Sequence, residues 1–248
     1  HDPDWHGRVQ GDWLAVVNLV SSAGGGVDGY RISYVEGNRS ILHWAASRRV
    51  ERFLYTSSTS VYSQTDGSLL DEAAVPGPEG LSPTGKWLRQ AEESVLANGV
   101  IEDTTVLRLG GIYGPGRHLY LNQMREGRTV LPGDGRAWLN LIYLKDIVGL
   151  ILHLLARPPQ RQSRLYNVVD NHPVRKQALT DWLAAVTSLP APRFDPELPG
   201  NRAVARSLNG RPPNRRIDNA RVRRETGWTP QFPDFRAGYR EILRSVDR

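Results

Sequence analysis

Short apolar runs alternate with segments of helical periodicity through residues 13–109, and this alternation most constrains the fold. Trp13–Val20 is an apolar run typical of a buried strand, and residues 32–47 follow it with apolar side chains at helical spacing. A second strand-like run at Arg52–Thr56, a second helical pattern over 84–98 and a third strand-like run at Thr104–Leu109 complete the series. The order strand, helix, strand, helix, strand predicts a parallel α/β sheet.

The rest of the chain is less regular. Apolar patterning predicts strands at 139–143 and 165–169 and helices at 147–156, 178–187, 219–226 and 235–246. Two stretches, 63–83 and 188–216, are rich in Gly, Pro, Ser or Arg, and we expect them to be loops. A loop as long as 63–83 inside a compact domain is usually functional.

Composition excludes several classes of protein. The chain has no Cys, so disulfides, cysteine–zinc sites and thiol nucleophiles are excluded, which fits a cytoplasmic protein. No run of about 18 apolar residues indicates a membrane span. His1, Asp2, Asp4 and His6 have no framing secondary structure, so we expect no metal site.

The chain is basic, with a net charge of +6, and much of the excess lies between Arg202 and Arg224. No aromatic-interleaved basic motif accompanies these arginines, as it does in many nucleic-acid-binding surfaces. We therefore expect no nucleic-acid partner. The arginines are interpreted as a solvated face, with contact to a phosphate-bearing substrate as the alternative.

Five motifs occur in an informative order, each next to a predicted strand or helix: TSSTSVY at 56–62, Asp71-Glu72 with a Pro-rich loop before Thr84, LRLGGIYGPG at 107–116, NLIYLKDI at 140–147 and GWTP at 227–230. Together they resemble the NAD-dependent epimerase/dehydratase family, the extended and atypical short-chain dehydrogenases/reductases. The resemblance runs over nearly the whole chain. It implies an NAD(P)-dependent oxidoreductase or epimerase/dehydratase.

The resemblance also implies an α/β fold: a Rossmann-like parallel sheet, N-terminally incomplete, with a small C-terminal α/β substrate lobe. We assign 1–145 to a partial Rossmann NAD(P)-binding domain and 146–248 to the C-terminal lobe. The two parts interleave in this family, so the boundary is approximate. No G-x-x-G-x-x-G phosphate loop follows a first strand, although Gly24-Gly25-Gly26 form a Gly-rich turn there. In the family this loop belongs to a unit of roughly 50–60 residues ahead of the TSSTSVY strand, so we expect the chain to be a fragment of a longer protein.

The family's proton chemistry uses a Ser at a strand end and a Tyr-x-x-x-Lys pair on the next helix, where positions i and i+4 share a face. By resemblance Ser58 occupies the Ser position, whereas Thr84 and Leu88 stand at the Tyr and Lys positions. A Thr hydroxyl is a far weaker acid than a phenol, so Thr84 cannot replace Tyr unaided. Following Pro83, it is instead a good candidate for the N-cap of the helix.

The resemblance assigns further residues to the site. Besides Ser58 and Thr84, we consider Tyr62 a catalytic candidate, with core or rim packing as its alternative. Tyr30, Tyr34 and Lys86 are the other groups that could substitute for the missing pair. The implied cofactor, NAD or NADP, would contact Ser21, Gly24, Ser57, Leu88, Gly111 and Ile112. The implied substrate, a small molecule such as a nucleotide-sugar, would contact Tyr113, Arg117 and Arg211.

Two functions remain open. The chain is either an oxidoreductase or isomerase whose acid is not the usual Tyr, or a non-catalytic nucleotide-binding sensor or scaffold of the same fold. A Tyr hydroxyl or Lys ammonium near the nicotinamide-side hydroxyl position would favour the enzyme. A cofactor site would be doubtful if the native chain truly started at His1. Family members often dimerise, so a homodimer is expected as well.

Overall fold

A computed structural model describes residues 3–22, 25–74, 76–198 and 207–246. Its strands are β1 Val16–Asn18, β2 Arg52–Ser58, β3 Leu69–Leu70, β4 Asp103–Leu109, β5 Gly111–Tyr113, β6 Val130–Pro132, β7 Trp138–Leu139, β8 Leu141–Tyr143, β9 Ser163–Val168, β10 Val174–Arg175, β11 Arg193–Asp195 and β12 Arg216–Ile217. Its α-helices are α1 Gly26–Tyr30, α2 Gly37–Ala45, α3 Pro83–Leu96, α4 Leu119–Arg125, α5 Leu144–Ala156, α6 Lys176–Thr187, α7 Ala220–Thr226 and α8 Phe235–Val246. A π-helical segment, Arg31–Glu36, joins α1 to α2.

A four-stranded parallel sheet in the order β1-β2-β4-β9 forms the centre of the molecule. Side chains of β2 alternate between its two faces, as a strand requires, so Phe53 and Tyr55 enter one core and Leu54 the other. Both faces are covered, which explains why the strands read as nearly continuous apolar runs. The predicted Rossmann-like α/β fold is confirmed.

Helices pack on both faces of the sheet. On the first face lie the π segment, α2 and α3, which contribute Val35, Leu42, Leu88 and Ala91 to one apolar cluster. On the second face lies α5, whose Ile147, Leu150 and Leu154 pack over β2, β4 and β9. The carboxyl ends of the parallel strands therefore meet at one edge, between the two helical layers.

A smaller apolar cluster gathers β5, β8, α4, α6 and α8 beside this edge. β5 pairs in parallel with β8, and the antiparallel pair β7–β10 lies nearby in the chain. β9 belongs to the 146–248 segment and yet pairs with β4 of the first segment. The central sheet is thus built from both parts of the sequence, and the division into 1–145 and 146–248 stays a prediction.

The structure corrects several predicted boundaries. The helix predicted at 32–47 begins earlier, at Gly26, and ends at Ala45; its middle is the π segment, in which Tyr34 and Val35 are both buried. The predicted loop 63–83 contains β3 and a 3₁₀ helix at Pro78–Gly80, and the predicted loop 188–216 contains β11. These elements are two or three residues long, too short to show a period in sequence.

β1 is an edge strand, paired only with β2 among the described residues. Next to it Leu14, Leu19 and Val20 are exposed, at 76%, 59% and 57%. α5 exposes a second apolar row at Leu144, Val148 and Leu152. An open apolar edge of this kind is usually covered in a folded protein. Within the described ranges, no helix is long and apolar enough to cross a membrane.

Candidate functional site

Ser58 lies at the carboxyl end of β2 and is half-buried. It is the N-cap of the 3₁₀ helix Thr59–Val61: its Oγ accepts a hydrogen bond from the Ser60 amide at 3.1 Å. The same hydroxyl donates to Ser60 Oγ at 3.0 Å. Ser58 is therefore held in one orientation by its own turn while part of it remains accessible, as a substrate-orienting hydroxyl needs to be.

The two residues that the resemblance assigns to the family's Tyr and Lys positions lie inside the protein. Thr84 is 1% exposed and Leu88 is fully buried in the apolar cluster against the sheet. The N-cap assigned to Thr84 is wrong. α3 begins at Pro83, and the cap is Ser82, whose Oγ accepts from the Gly85 amide at 3.1 Å. Pro83 is suited to the first helical position, so the cap falls one residue before it.

Tyr62 points into a buried polar network. Its hydroxyl lies 2.8 Å from Asn167 Oδ1 and 2.9 Å from the Asp71 carbonyl, and Arg108 Nη1 donates to it at 2.7 Å. Burial raises the pKa of Tyr62 to about 12, although Arg108 acts in the opposite direction. A phenol so buried and so bonded holds its proton at neutral pH, and its contacts are structural.

Glu92 of α3 anchors the same network. Its carboxylate accepts from Arg108 Nη2 at 2.7 Å and from Arg108 Nε at 3.0 Å, and both residues are buried. Ser57 donates its hydroxyl to Glu92 at 2.6 Å. Ser57, predicted to contact the cofactor, is thus directed to the α3 side of β2, while its neighbour Ser58 remains at the edge.

The turn after β4 needs glycine. A Cβ on Gly110 would lie 2.7 Å from the Asn140 carbonyl oxygen and 2.8 Å from Val169 Cγ1. The Gly111 amide donates to the same Asn140 carbonyl at 2.7 Å, and Gly111 is exposed at the carboxyl edge. Close approach of β4 to the segment before β8 therefore fixes this wall of the site, with Ile112 half-buried next to it.

The π segment is tied to the end of β1. Asn18 Nδ2 donates to Asn38 Oδ1 at 2.8 Å, and Asn38 Nδ2 donates to the Tyr34 carbonyl at 2.7 Å. Tyr34 is buried between Tyr30 and Tyr55, whose rings meet it edge-on. Tyr34 is thus a core residue, whereas Tyr30 is half-buried at the rim.

The remaining predicted residues divide by exposure. Ser21, Arg117 and Arg211 are exposed, as is Lys86 on the solvent side of α3. Tyr113 is buried in the cluster with α8 and stacks on Tyr239. Gly24 lies outside the described residues. The structure therefore brings Ser58, Gly111, Ile112 and Ser21 to the carboxyl edge, and keeps Ser57, Tyr62, Thr84, Leu88 and Tyr113 in the interior.

Sequence reasoning missed a segment that crosses this edge, residues 214–217, which we call the strap. Arg215 Nη2 donates to the Thr59 carbonyl at 2.8 Å, beside Ser58. The Ile217 amide donates to Asn140 Oδ1 at 2.7 Å. The surplus of arginines between Arg202 and Arg224 was the only sequence signal for the strap. It does not indicate which residues those arginines contact.

Asp170, two residues beyond β9, was also missed. It is 2% exposed, and its Oδ2 has no hydrogen-bond partner in the described structure, while Oδ1 accepts from the His172 amide at 3.0 Å. Burial, aided by Asp234 and Asp146, raises the pKa of Asp170 to about 8. No group of three or more acidic, His or Cys side chains in the described ranges is arranged to hold a metal ion.

These features match a known family. The sequence profile of the NAD dependent epimerase/dehydratase family matches residues 12–168, more than half of the chain. The chain belongs to this family. The membership predicted from the five motifs is thereby confirmed.

Individual relatives agree with it. The chain is 29% identical to Protein YeeZ of Escherichia coli strain K12 over 202 residues, 81% of this chain and 66% of that protein. It is 27% identical over 187 residues to the 2-alkyl-3-oxoalkanoate reductase of Stenotrophomonas maltophilia strain K279a, 71% of this chain and 56% of that protein. The chain thus spans less than two thirds of the length of either relative.

A solved structure shows the same fold at lower identity. DesIV, a dTDP-glucose 4,6-dehydratase from Streptomyces venezuelae with NAD and TYD bound, superposes with a TM-score of 0.79 at 20% identity. The alignment covers 99% of this chain and 77% of that one. The two proteins therefore share one architecture, with part of the DesIV chain left unmatched.

Proposed function

We propose that the protein is an NAD(P)-dependent oxidoreductase of the atypical short-chain dehydrogenase class that does not use the family's Tyr–Lys pair. One observation carries the proposal. Ser58 lies partly accessible at the carboxyl edge, while the side chains at the Tyr and Lys positions, Thr84 and Leu88, are buried. A hydroxyl able to orient a substrate oxygen thus lies at the edge, whereas a threonine and a leucine stand at the positions assigned to the proton-transfer pair.

The carboxyl edge fits half of a dinucleotide site. Leu19, Val20 and Ser21 form an exposed surface beyond β1, and Gly111 exposes backbone beyond β4. Parallel sheets bind nucleotides at this edge. When bound there, NAD(P) would supply or accept a hydride. We propose that the other half of the site belongs to a Gly-rich unit that pairs with the open edge of β1.

The residues at the edge can orient a carbonyl or hydroxyl group but cannot readily supply its proton. Ser58 Oγ can hydrogen-bond a substrate oxygen, and its bonds to Ser60 limit its rotation. Leu88 has no charge with which to lower a pKa. Thr84 has a buried aliphatic hydroxyl, a far weaker acid than a phenol, so water or another side chain must deliver the proton.

Two substitutions test this division of roles. Oxidation of NADH and NADPH would be followed at 340 nm with a panel of nucleotide-sugars and 3-oxo acids, using protein purified at its native length. We expect S58A to lose about a hundredfold in turnover, because a hydrogen bond to developing charge is lost. T84V keeps the shape of the side chain, and its turnover should stay unchanged. Loss of turnover in T84V with cofactor binding intact would contradict the proposal.

A non-catalytic NAD(P) sensor is the second candidate, and the burial of Thr84 and Leu88 favours it. It predicts saturable cofactor binding with no turnover of any substrate in the panel. S58A should then change at most the affinity for the cofactor. Intact mass and N-terminal sequence of the protein from its native source decide whether a Gly-rich segment is present. A native start near His1 would favour the sensor over the enzyme.

A further inference from the structure

Charged side chains stand near the beginning of three strands of the central sheet, on the face that α5 covers. Arg52 and Asp103 are the first residues of β2 and β4, and Arg164 is the second residue of β9. Each lies an even number of residues before a member of the apolar cluster under α5, so strand alternation places it on that face. All three are buried. We call Arg52, Asp103 and Arg164 the amino-end cluster, because it lies at the end of the sheet opposite Ser58.

Asp103 is the one carboxylate of the amino-end cluster, and both arginines share it. Its Oδ1 accepts from Arg164 Nη1 at 3.1 Å, and its Oδ2 lies 3.4 Å from Arg52 Nε. The Gln160 amide also donates to Oδ2, at 3.1 Å. Among the residues that the structure describes, no other carboxylate lies within ion-pair distance of Arg52 or Arg164. The cluster therefore holds two buried cations and one buried anion.

Arg52 has a second source of compensation at the end of α5. Its Nη1 donates to the carbonyls of Leu154 and Leu155 at 2.9 and 2.8 Å, and its Nη2 donates to the Arg157 carbonyl. The last carbonyls of a helix lack partners within the helix and carry partial negative charge, so they suit a guanidinium. The charge and the donors of Arg52 are thus matched.

Arg164 lacks this compensation. It is 9% exposed, and its Nη2 has no hydrogen-bond partner in the part of the chain that the structure describes. A buried charged donor without a partner costs free energy, and such a group is evidence for a bound water molecule or ion. The positive charge that Asp103 leaves uncancelled therefore lies at Arg164.

A small cavity adjoins Arg164. All three members of the amino-end cluster line it, together with Arg157, Gln160 and apolar side chains of β2 and α5. Its volume is about 10 Å³, which admits one particle the size of a water molecule. Phosphate, sulfate and carboxylate groups are too large for it. The surplus of positive charge in a buried setting favours a monatomic anion over a neutral water molecule.

We propose that the amino-end cluster binds a single chloride ion at Arg164 Nη2. The ion cancels the surplus charge and supplies the missing hydrogen-bond acceptor. Because the three residues of the cluster belong to three different strands, the bound ion stabilises the folded sheet. β9 comes from the C-terminal part of the chain, so the ion also strengthens the attachment of that part to β4. The site lies away from the carboxyl edge and is independent of the proposed function.

Thermal unfolding of the native-length protein, followed by circular dichroism, tests the site. Chloride would replace gluconate, an anion too large for the cavity, at constant ionic strength. We expect the melting temperature to rise by about 3–6 °C at ten times the dissociation constant, because an ion that binds only the folded state stabilises it by mass action. Bromide should have the same effect as chloride.

Two variants separate this site from general salt effects. Arg164→Met removes both the unpartnered donor and the surplus charge, so its melting temperature should no longer depend on the exchange of gluconate for chloride. Arg161→Gln is the matched control. It removes an arginine three residues away whose side chain is 82% exposed, and it should keep the full chloride effect.

Equal melting temperatures of the wild type in chloride and in gluconate would overturn the proposal, because the cavity would then hold water. A chloride effect of undiminished size in R164M would overturn it as well. If R164M does not fold, a crystal of the wild type soaked in bromide decides the matter. We expect an anomalous-scattering peak next to Arg164 Nη2, and the absence of that peak would overturn the assignment.

Discussion

The substitution Glu92→Gln should lower the free energy of unfolding far more than the change of any surface carboxylate. In the folded state the Glu92 carboxylate accepts from two nitrogens of Arg108 at 2.7 and 3.0 Å and from Ser57 at 2.6 Å, all buried. Gln keeps the shape but brings an NH₂ group against the Arg108 donors and removes the charge. A buried pair that loses one partner costs about 3–5 kcal/mol, because the remaining ion is left without compensation.

Urea unfolding followed by far-UV circular dichroism measures this change in the free energy of unfolding. Glu93→Gln is the matched control, one residue along the same helix, where the carboxylate is exposed and paired with Arg89 at the surface. An exposed pair contributes about 0–1 kcal/mol. The apolar double variant E92L/R108M should not recover the loss, because Ser57, Tyr62 and the Glu72 carbonyl would then lose their buried hydrogen bonds to the pair.

The reasoning would be refuted if E92Q and E93Q differed by less than about 1 kcal/mol, the scale of a single surface interaction. Such a result would mean that the network around Tyr62 is not held by the charge of Glu92.

Three further changes have definite expected outcomes. The pKa of Asp170 is raised to about 8 in the fold, so between the unfolded value of about 3.9 and that pH only the native state holds the proton. Stability should fall as pH rises through this window, by up to about 1.4 kcal/mol per pH unit, and D170N should remove that slope in urea titrations from pH 5 to 9. G110A should lower the melting temperature, because its Cβ would lie 2.7 Å from the Asn140 carbonyl oxygen, and an unchanged melting curve would contradict this packing. S82A should lower the free energy of unfolding by about 1 kcal/mol through loss of the cap on the Gly85 amide, and an unchanged value in urea unfolding would contradict that cap.

The sequence was sufficient for the layered α/β fold, because strand runs such as Arg52–Thr56 and helical spacing across 84–98 are long enough to show their period. The N-cap of α3 was misassigned although the sequence holds its signal: Ser82 and Thr84 both have a capping hydroxyl, and Pro83, suited to the first helical position, places the cap at Ser82. The sequence could not show that Leu88 and Tyr62 are interior, since both lie on elements that also approach the site.

The contacts across the edge were beyond sequence reasoning for a different reason. Arg215 meets Thr59 from 156 residues away, and Asn140 meets Ile217 from 77. Local patterning has no information about such distant pairs. The same holds for Asp170, whose pKa shift arises from burial by elements on both sides of it in the chain.

The most direct test of the central claim is calorimetric titration of the native-length protein with NADH and NADPH, in the wild type and in G111W. Gly111 is exposed at the carboxyl edge beyond β4, so the indole of a Trp there would obstruct that edge. A Cβ at this position would lie 3.1 Å from Leu141 Cδ2 and 3.3 Å from the Asn140 carbonyl oxygen, so G111A is the control for that contact. We predict one saturable site per chain for at least one of the two cofactors, with affinity reduced at least tenfold in G111W. Absence of binding to both cofactors, or binding of equal strength in G111W, would contradict a dinucleotide site beside Ser58.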